Sequence, residues 1–408
     1  MTDSWPFWRS IPRFDREYGF DDLRQALGTL VRDPEEEVRW VKELYSPAFF
    51  RFARSGTESL TILLQLLKLR ANSRIGVPLY CCSAVFDAIV AAGHIPVFLE
   101  VDPVSYGLDA QFLREKRQAL DALVIVHVFG YPNDLRAVRD ALSGRDIPIV
   151  EDCAHSLFSE YQGQQAGTCA DASFLTFGMH KPAAVGGGAV LLINNPDLAR
   201  RARTDLPSFA ADTWSNEIRH SLLCLARSIS YQRATYGALL ASPIGTGRDN
   251  GGWTPRGRAG NSNGHAFIPR RIRKVDRVLV ASRVQNFRAK LTVLAANTQN
   301  LRNALKGTEI SFPSEPSFGK WNHFLLPARF PTPRHRDLAR EFLILRRVDT
   351  APLYQNCARN AVRFGYAGDC PQAEHIARTV CTVPNHSWLS EQELAYIANS
   401  LRLSAELG

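Results

Sequence analysis

The sequence predicts an α/β fold, with a large, doubly wound and mostly parallel sheet followed by a smaller α+β C-terminal part. Three observations predict it. Short β-branched or aromatic runs alternate with helical stretches from residue 57 to about 205, the signature of strand–helix–strand crossovers. Beyond 205 that alternation gives way to a different pattern. The chain has 408 residues, more than the roughly 250–300 at which single cores stop growing, so two unequal lobes follow.

In chain order, residues 58–70 carry apolar positions at helical spacing directly behind Ser55-Gly56-Thr57, so a helix starts near Thr57. Ile75–Leu79 then reads as a strand and 83–93 as a helix. Ile95–Val101 and 109–118 repeat the pair, as do Ala122–Phe129 and 133–143, and Ile147–Glu151 adds a further strand. Ser173–Phe177 and Ala189–Asn194 extend the sheet, and a helix begins near Pro196. Residues 217–240 hold apolar positions at helical intervals with Arg219, Arg227 and Arg233 between them; a helix packed on its own core or on a dimer mate is expected rather than one lying on a membrane. The Gly/Asn/Arg-rich stretch 243–267 has no periodicity and reads as a long loop, either a lid or disordered. A helix over Ala281–Leu305, strands near 323–330 and helices near 334–345 and 390–402 make up the remainder. The division expected is an N-terminal arm (1–50), a large domain (51–280) and a small C-terminal domain (281–408).

Composition narrows the function classes. Forty-five percent hydrophobic and 22% charged residues describe an ordinary globular chain. No run of about 18 uncharged apolar residues is present, and the start, Met1 to Arg9, lacks the apolar stretch of a signal peptide, so a cytoplasmic location is expected. The eight cysteines form no C-x-x-C pair, which argues against metal knuckles and disulfide scaffolds and for reduced, mostly buried thiols; no metal site is expected. The formal charge of +9 comes from scattered residues without a basic-aromatic motif, which favours anionic small substrates or a plain solvated surface over nucleic acid.

Four features carry chemistry. Asp152 follows the strand Ile147–Glu151, at the carboxyl end where α/β sheets bind ligands, although many such acids merely cap the next turn. Lys181 lies four residues past Ser173–Phe177 and precedes Pro182-Ala-Ala-Val-Gly186-Gly187-Gly188. A solitary loop lysine is usually just solvated, but apolar flanks disfavour the ammonium, as an imine-forming amine requires. Ser55-Gly56-Thr57 at a helix start offers free amides and a hydroxyl to an anion, though short caps of this kind are common. His155, three residues beyond Asp152, is by itself as well explained by the core as by a ligand.

Together these features, and the stretches Ile95-Pro-Val-Phe-Leu-Glu-Val-Asp102, His127-Val-Phe-Gly-Tyr-Pro132, Val150-Glu-Asp-Cys-Ala-His155, Phe177-Gly-Met-His-Lys-Pro182 and Gly186-Gly-Gly-Ala-Val190, resemble the DegT/DnrJ/EryC1/StrS family of sugar aminotransferases, which use pyridoxal 5'-phosphate (PLP) on a type-I fold. Cys370-Pro-Gln-Ala-Glu-His-Ile-Ala-Arg378 and Cys381-Thr-Val-Pro384 extend the resemblance toward the C-terminus.

The resemblance implies that 51–280 is a PLP-binding domain in which Lys181 carries the cofactor as a Schiff base. Asp152 would pair with the pyridine nitrogen and His155 would contact the ring hydroxyl, while Gly56, Thr57 and Thr176 match phosphate contacts. Where many relatives stack an aromatic residue on the cofactor, this chain reads Pro78-Leu-Tyr-Cys-Cys-Ser83, so Tyr80 or Cys82 takes that place. Relatives lend an asparagine to the phosphate across a homodimer, from a segment that here reads Ile268-Pro-Arg-Arg-Ile-Arg-Lys-Val-Asp276. Arg270 or Arg271 is the candidate substitute. The implied reaction moves an amino group, from glutamate in the first instance, to a keto sugar, usually nucleotide-linked and destined for polysaccharide or secondary-metabolite biosynthesis. Rival readings are a dehydratase or decarboxylase on the same fold, a non-sugar keto acceptor, and a non-catalytic sensor. Retention of Lys181 favours transamination over dehydration, which relatives carry out with histidine at that position, and retention of both Lys181 and Asp152 argues against the sensor.

Overall fold

In a computed structural model of the chain, residues 10–15, 18–29, 38–230, 235–236 and 268–407 are described. The stretch 243–267 expected to form a long loop lies outside them. Helices α1 (Phe20–Gly28) and α2 (Arg39–Tyr45) lead into β1 (Phe49–Ala53). Then come α3 (Gly56–Leu66), β2 (Arg74–Pro78), α4 (Ser83–Ala91), β3 (Ile95–Leu99), α5 (Ala110–Lys116), β4 (Ala122–Val126), α6 (Leu135–Ala141) and β5 (Ile149–Asp152). A small hairpin, β6 (Glu160–Tyr161) and β7 (Gln164–Gln165), precedes β8 (Ala172–Thr176), β9 (Ala189–Ile193), α7 (Pro196–Asp205) and α8 (Trp214–Ser230).

The expected sheet is present, with seven strands in the order β1-β9-β8-β5-β4-β2-β3. β3, β2, β4, β5 and β8 run parallel, and β9 and β1 add on antiparallel. β4 and β9 are buried at every position, as their unbroken runs of branched aliphatics require of a sheet covered on both faces. β4 ends at Val126 rather than running to Phe129, because Phe129 sits at φ +60° in a tight turn closed by the Gly130 N–H to His127 carbonyl bond. Strand β1 has no counterpart among the expectations.

After α8 the helix Lys274–Ala304 runs unbroken through residue 280, so any division of the chain there cuts a continuous helix. Its N-terminal amides at Lys274 and Val275 are capped by the buried carboxylate of Glu217 on α8. Beyond it, the antiparallel pair Leu326–Arg329 and Val380–Val383 packs with the helices Pro333–Leu345 and Glu391–Ser404 around Trp321, Phe330 and Leu401. α8 turns Glu217, Ser221, Cys224 and Ser228 inward and leaves Trp214, Leu222, Leu223 and Ile229 exposed. Among the described residues no helix is long and apolar enough to cross a membrane. The described N-terminal residues form a strap: Ile11 bridges Val348, and Arg13 pairs with Asp349 at 2.9 Å.

Candidate active site

The parallel strands deliver their carboxyl ends to one edge of the sheet, and there the chemistry collects. β5 ends in Asp152, buried at 5% exposure, whose carboxylate accepts the Ala154 N–H at 2.9 Å in the turn that follows. That turn holds His155, and Asn322 pins it by donating Nδ2 to the carbonyls of His155 (2.7 Å) and Leu157 (2.8 Å). Gly130 must lack a side chain here, since a Cβ would lie 2.2 Å from Asn322 Oδ1 at φ +81°.

Lys181 reaches this turn from the loop after β8. The loop is clasped at its neck by Phe177 N–H to Gly188 O and Val185 N–H to Phe177 O, both 2.9 Å. Lys181 Nζ lies 3.0 Å from His155 Nε2. Desolvation lowers the lysine pKa, opposed by the negative character of Cys82 and Asp152. Burial raises the Asp152 pKa against the Ala154 N–H and the positive charge of Lys181. Burial, reinforced by Lys181, holds His155 well below the usual histidine range, so its ring is neutral, with Nε2 within hydrogen-bond distance of the lysine amine. Three residues singled out from sequence as catalytic are therefore mutually placed, two of them in direct contact.

The cradle forms across the β1–α3 turn. Ser55 caps α3 by accepting the Glu58 N–H, leaving the first-turn amides of Gly56 and Thr57 without helical acceptors. A Cβ on Gly56 would stand 2.3 Å from Thr176 Cγ2, so only glycine lets the helix start approach the end of β8. Thr176 Oγ1 is buried there without a hydrogen-bond partner.

The two alternatives for the ring position separate. Tyr80 is fully buried, its phenol donating to the Leu353 carbonyl at 3.0 Å and its ring set among Tyr106, Phe129 and Tyr354. Cys82, at the N-cap of α4, instead shares the electrostatic field of Lys181 and Asp152, with burial raising its thiol pKa. The arginine alternatives separate too: Arg270 is engaged with Glu58 at 2.7 Å, whereas Arg271 is exposed and held through its backbone, its N–H donating to the Ala210 carbonyl and its carbonyl accepting from Arg54 Nε.

Sequence reasoning missed two contributors from distant segments. Tyr354 lies near-parallel to His155, ring centroids 6.5 Å apart at 16°, and its phenol senses Cys82 and Asp152. Phe14 of the strap meets His180, at 4.3 Å and 78°. Neither sits in a motif that would flag it.

His127, Glu151 and Cys153 converge within 4.8 Å in the core beneath the site. The donor atoms of the first two are already committed. Asn133 N–H donates to His127 Nδ1, so Nε2 carries the hydrogen and gives it to Glu151 Oε2 at 3.0 Å. Glu151 also accepts from the backbone N–H of Gly167, Cys169 and Ala170. This is a brace that ties the loop after β7 to β4 and β5.

The model of the DegT/DnrJ/EryC1/StrS aminotransferase family matches residues 51–223. The chain is 29% identical over 212 residues to L-glutamine:2-deoxy-scyllo-inosose aminotransferase of Streptoalloteichus tenebrarius, covering 49% of each. It is 30% identical over 154 residues to dTDP-4-dehydro-2,3,6-trideoxy-D-glucose 4-aminotransferase of Saccharopolyspora spinosa, covering 37% of this chain and 40% of that one. It thus spans about half or less of the length of these curated relatives. The solved aminotransferase TlmJ from Streptoalloteichus hindustanus shares the fold throughout, with a TM-score of 0.76 at 21% identity over 97% of this chain and 99% of that one. Over residues 51–223 the chain is therefore similar to the DegT/DnrJ/EryC1/StrS aminotransferase family.

Proposed function

We propose that the chain is a PLP-dependent aminotransferase that transfers an amino group from an amino acid, with glutamate the first candidate, to a cyclic keto acceptor. A nucleotide-linked keto sugar is the leading acceptor class and a cyclitol ketone the next, in keeping with the names of the two curated relatives. The observation that carries this reading is the 3.0 Å contact of Lys181 Nζ with His155 beside the buried Asp152.

The residues present suit the cofactor. Thr176 Oγ1 is a buried hydroxyl without a partner, next to a helix start with open amides, and a phosphate ester would satisfy both. Asp152, which burial makes reluctant to ionise alone, is suited to a cationic ring nitrogen as counter-charge. Cys82 offers a small side chain for the ring face, and Arg271 is a candidate phosphate clamp lent across a homodimer.

When bound, PLP supplies an aldehyde that condenses with amines and a ring that withdraws electrons. Lys181 contributes a primary amine whose neutral, nucleophilic form is favoured by desolvation. With the cofactor and donor bound, the same amine would serve as the base that takes the proton from the donor's α-carbon and, as its conjugate acid, would give it back to the cofactor. His155 orients Nζ through the hydrogen bond between them. Asp152 would supply the counter-charge to a protonated ring nitrogen, and Asn322 keeps the turn that follows it from shifting. A lysine able to shuttle that proton, rather than a histidine in its place, favours transamination over dehydration.

The test is spectroscopic. Protein loaded with PLP should absorb at the edge of the visible, lose that band on adding glutamate and regain it with a keto sugar. Indifference of the band to every amino donor would refute the reading. A cytoplasmic enzyme with a large PLP-binding lobe over about 51–280 belongs to the same proposal.

A further inference from the structure

We infer that Tyr354 is an acceptor-binding residue that sets the keto substrate's ring against the wall it forms with His155. The inference rests on the aminotransferase reading above and names a specificity contact within that site.

Tyr354 adopts φ +60°, a left-handed conformation that costs a bulky residue energy unless the surroundings impose it. The surroundings do impose it. On one side the Leu353 carbonyl accepts the Tyr80 phenol at 3.0 Å and the Leu353 N–H bonds Ala351 O at 3.0 Å. On the other, the Cys357 N–H bonds the Tyr354 carbonyl at 2.9 Å. Ala351 is itself anchored to Thr382 through both backbone groups. Core packing would account for an aromatic side chain; it does not account for one held on a strained backbone and kept only half-buried.

The clamp fixes the ring edge-on to Tyr80 (5.8 Å, 78°) and nearly parallel to His155, the residue in contact with Lys181. Its phenol lies in the field of Cys82 and Asp152, and burial pushes its pKa well above the usual value, so at neutral pH it is an O–H donor rather than a phenolate. A flat π face beside His155 suits the C–H face of a polyhydroxylated six-membered ring, and the O–H suits one of its oxygens. A linear dicarboxylate gains nothing from that face, whose quadrupole is negative. The effect of Tyr354 therefore falls on the cyclic acceptor and spares the amino donor.

The experiment compares the two half-reactions of PLP-loaded wild type, Tyr354→Leu and Tyr354→Phe. Glutamate drives the first, and dTDP-4-dehydro-2,3,6-trideoxy-D-glucose or 2-deoxy-scyllo-inosose drives the second. The leucine variant should raise the acceptor KM about tenfold and the phenylalanine variant about threefold, the equivalent of one ring contact and one hydrogen bond. Glutamate KM and PLP affinity should stay within about twofold of wild type. An unchanged acceptor KM in both variants overturns the inference, as does an equal rise for donor and acceptor. Phenylalanine keeps the ring packing, so a leucine variant that failed to fold would leave the phenol effect to decide. Wild type that responds to glutamate but to neither ketone overturns the inference through its acceptor class. Wild type that does not respond to glutamate overturns the aminotransferase reading itself.

Discussion

Thr176 isolates the cofactor question at a single side chain. Its hydroxyl is buried and unsatisfied in the free protein, which costs stability, and would be repaid only by a ligand. Thr176→Val keeps the shape and removes that penalty. It should leave the melting temperature unchanged or higher without PLP while weakening PLP binding about tenfold, the value of one hydrogen bond to a charged group. Fluorescence titration and thermal melts measure the two together. His180 tests the neighbouring turn. Burial, helped by Arg13 and Lys181, lowers its pKa from 6.5 to about 3. Below pH 6.5 the unfolded chain takes up a proton that the folded chain refuses until about pH 3, so stability is lost as the pH falls through that window. His180→Asn should flatten the stability slope between those limits by up to one proton, measured by denaturant titration of the cofactor-free protein. An unaltered slope would contradict a buried neutral His180. At this scale Lys181, Asp152 and His155 were readable because each stands at a fixed offset from a strand end. Tyr80 against Cys82 was not, because a turn of consecutive polar and apolar residues does not reveal which side chain faces the core. Tyr354 was hidden because its partners are distant in sequence and its strained backbone leaves no mark on composition.

Among the elements, the β1–α3 turn carries the greatest functional weight. Gly56→Ala would drive a Cβ to 2.3 Å from Thr176 Cγ2 and 3.0 Å from Phe174 Cε2, forcing the start of α3 away from β8. We expect a loss of about 1–3 kcal/mol in stability, the usual cost of overpacking, accompanied by weakened PLP binding; retained affinity would mean that α3 does not form the cradle. The alternating strands and helices from α3 to α7 were legible because a parallel sheet needs continuous apolar strands and a crossover helix between them. Boundaries slipped where local geometry overruled propensity: β4 stops short at the Phe129 turn, and α5 tightens into a 3₁₀ turn at Arg117. β1, with the sequence Phe-Phe-Arg-Phe-Ala, escaped notice because its membership depends on pairing with β9, far along the chain. α8 was anticipated as a helix packed on its own core or on a dimer mate, but its inward stripe of Glu217, Ser221, Cys224 and Ser228 is more polar than periodicity suggests. Glu217 is there to cap another helix.

At the scale of the whole molecule, the sheet gathers the carboxyl ends of β5 and β8 at one edge, and segments from the far ends of the chain close over it. Tyr354 and Asn322 come from the C-terminal side and Phe14 from the N-terminal strap, which is tied to the same region through Ile11–Val348 and Arg13–Asp349. No local pattern encodes that closure, because it arises from tertiary contacts between segments hundreds of residues apart. The central claim is narrower than the architecture: one amine, at Lys181, takes up the cofactor. Borohydride reduction of PLP-loaded protein, followed by peptide mass spectrometry, addresses it directly. The account predicts a single phosphopyridoxyl adduct on the peptide containing Lys181, absent in Lys181→Ala. An adduct on another lysine, or the same labelling in Lys181→Ala, would contradict it.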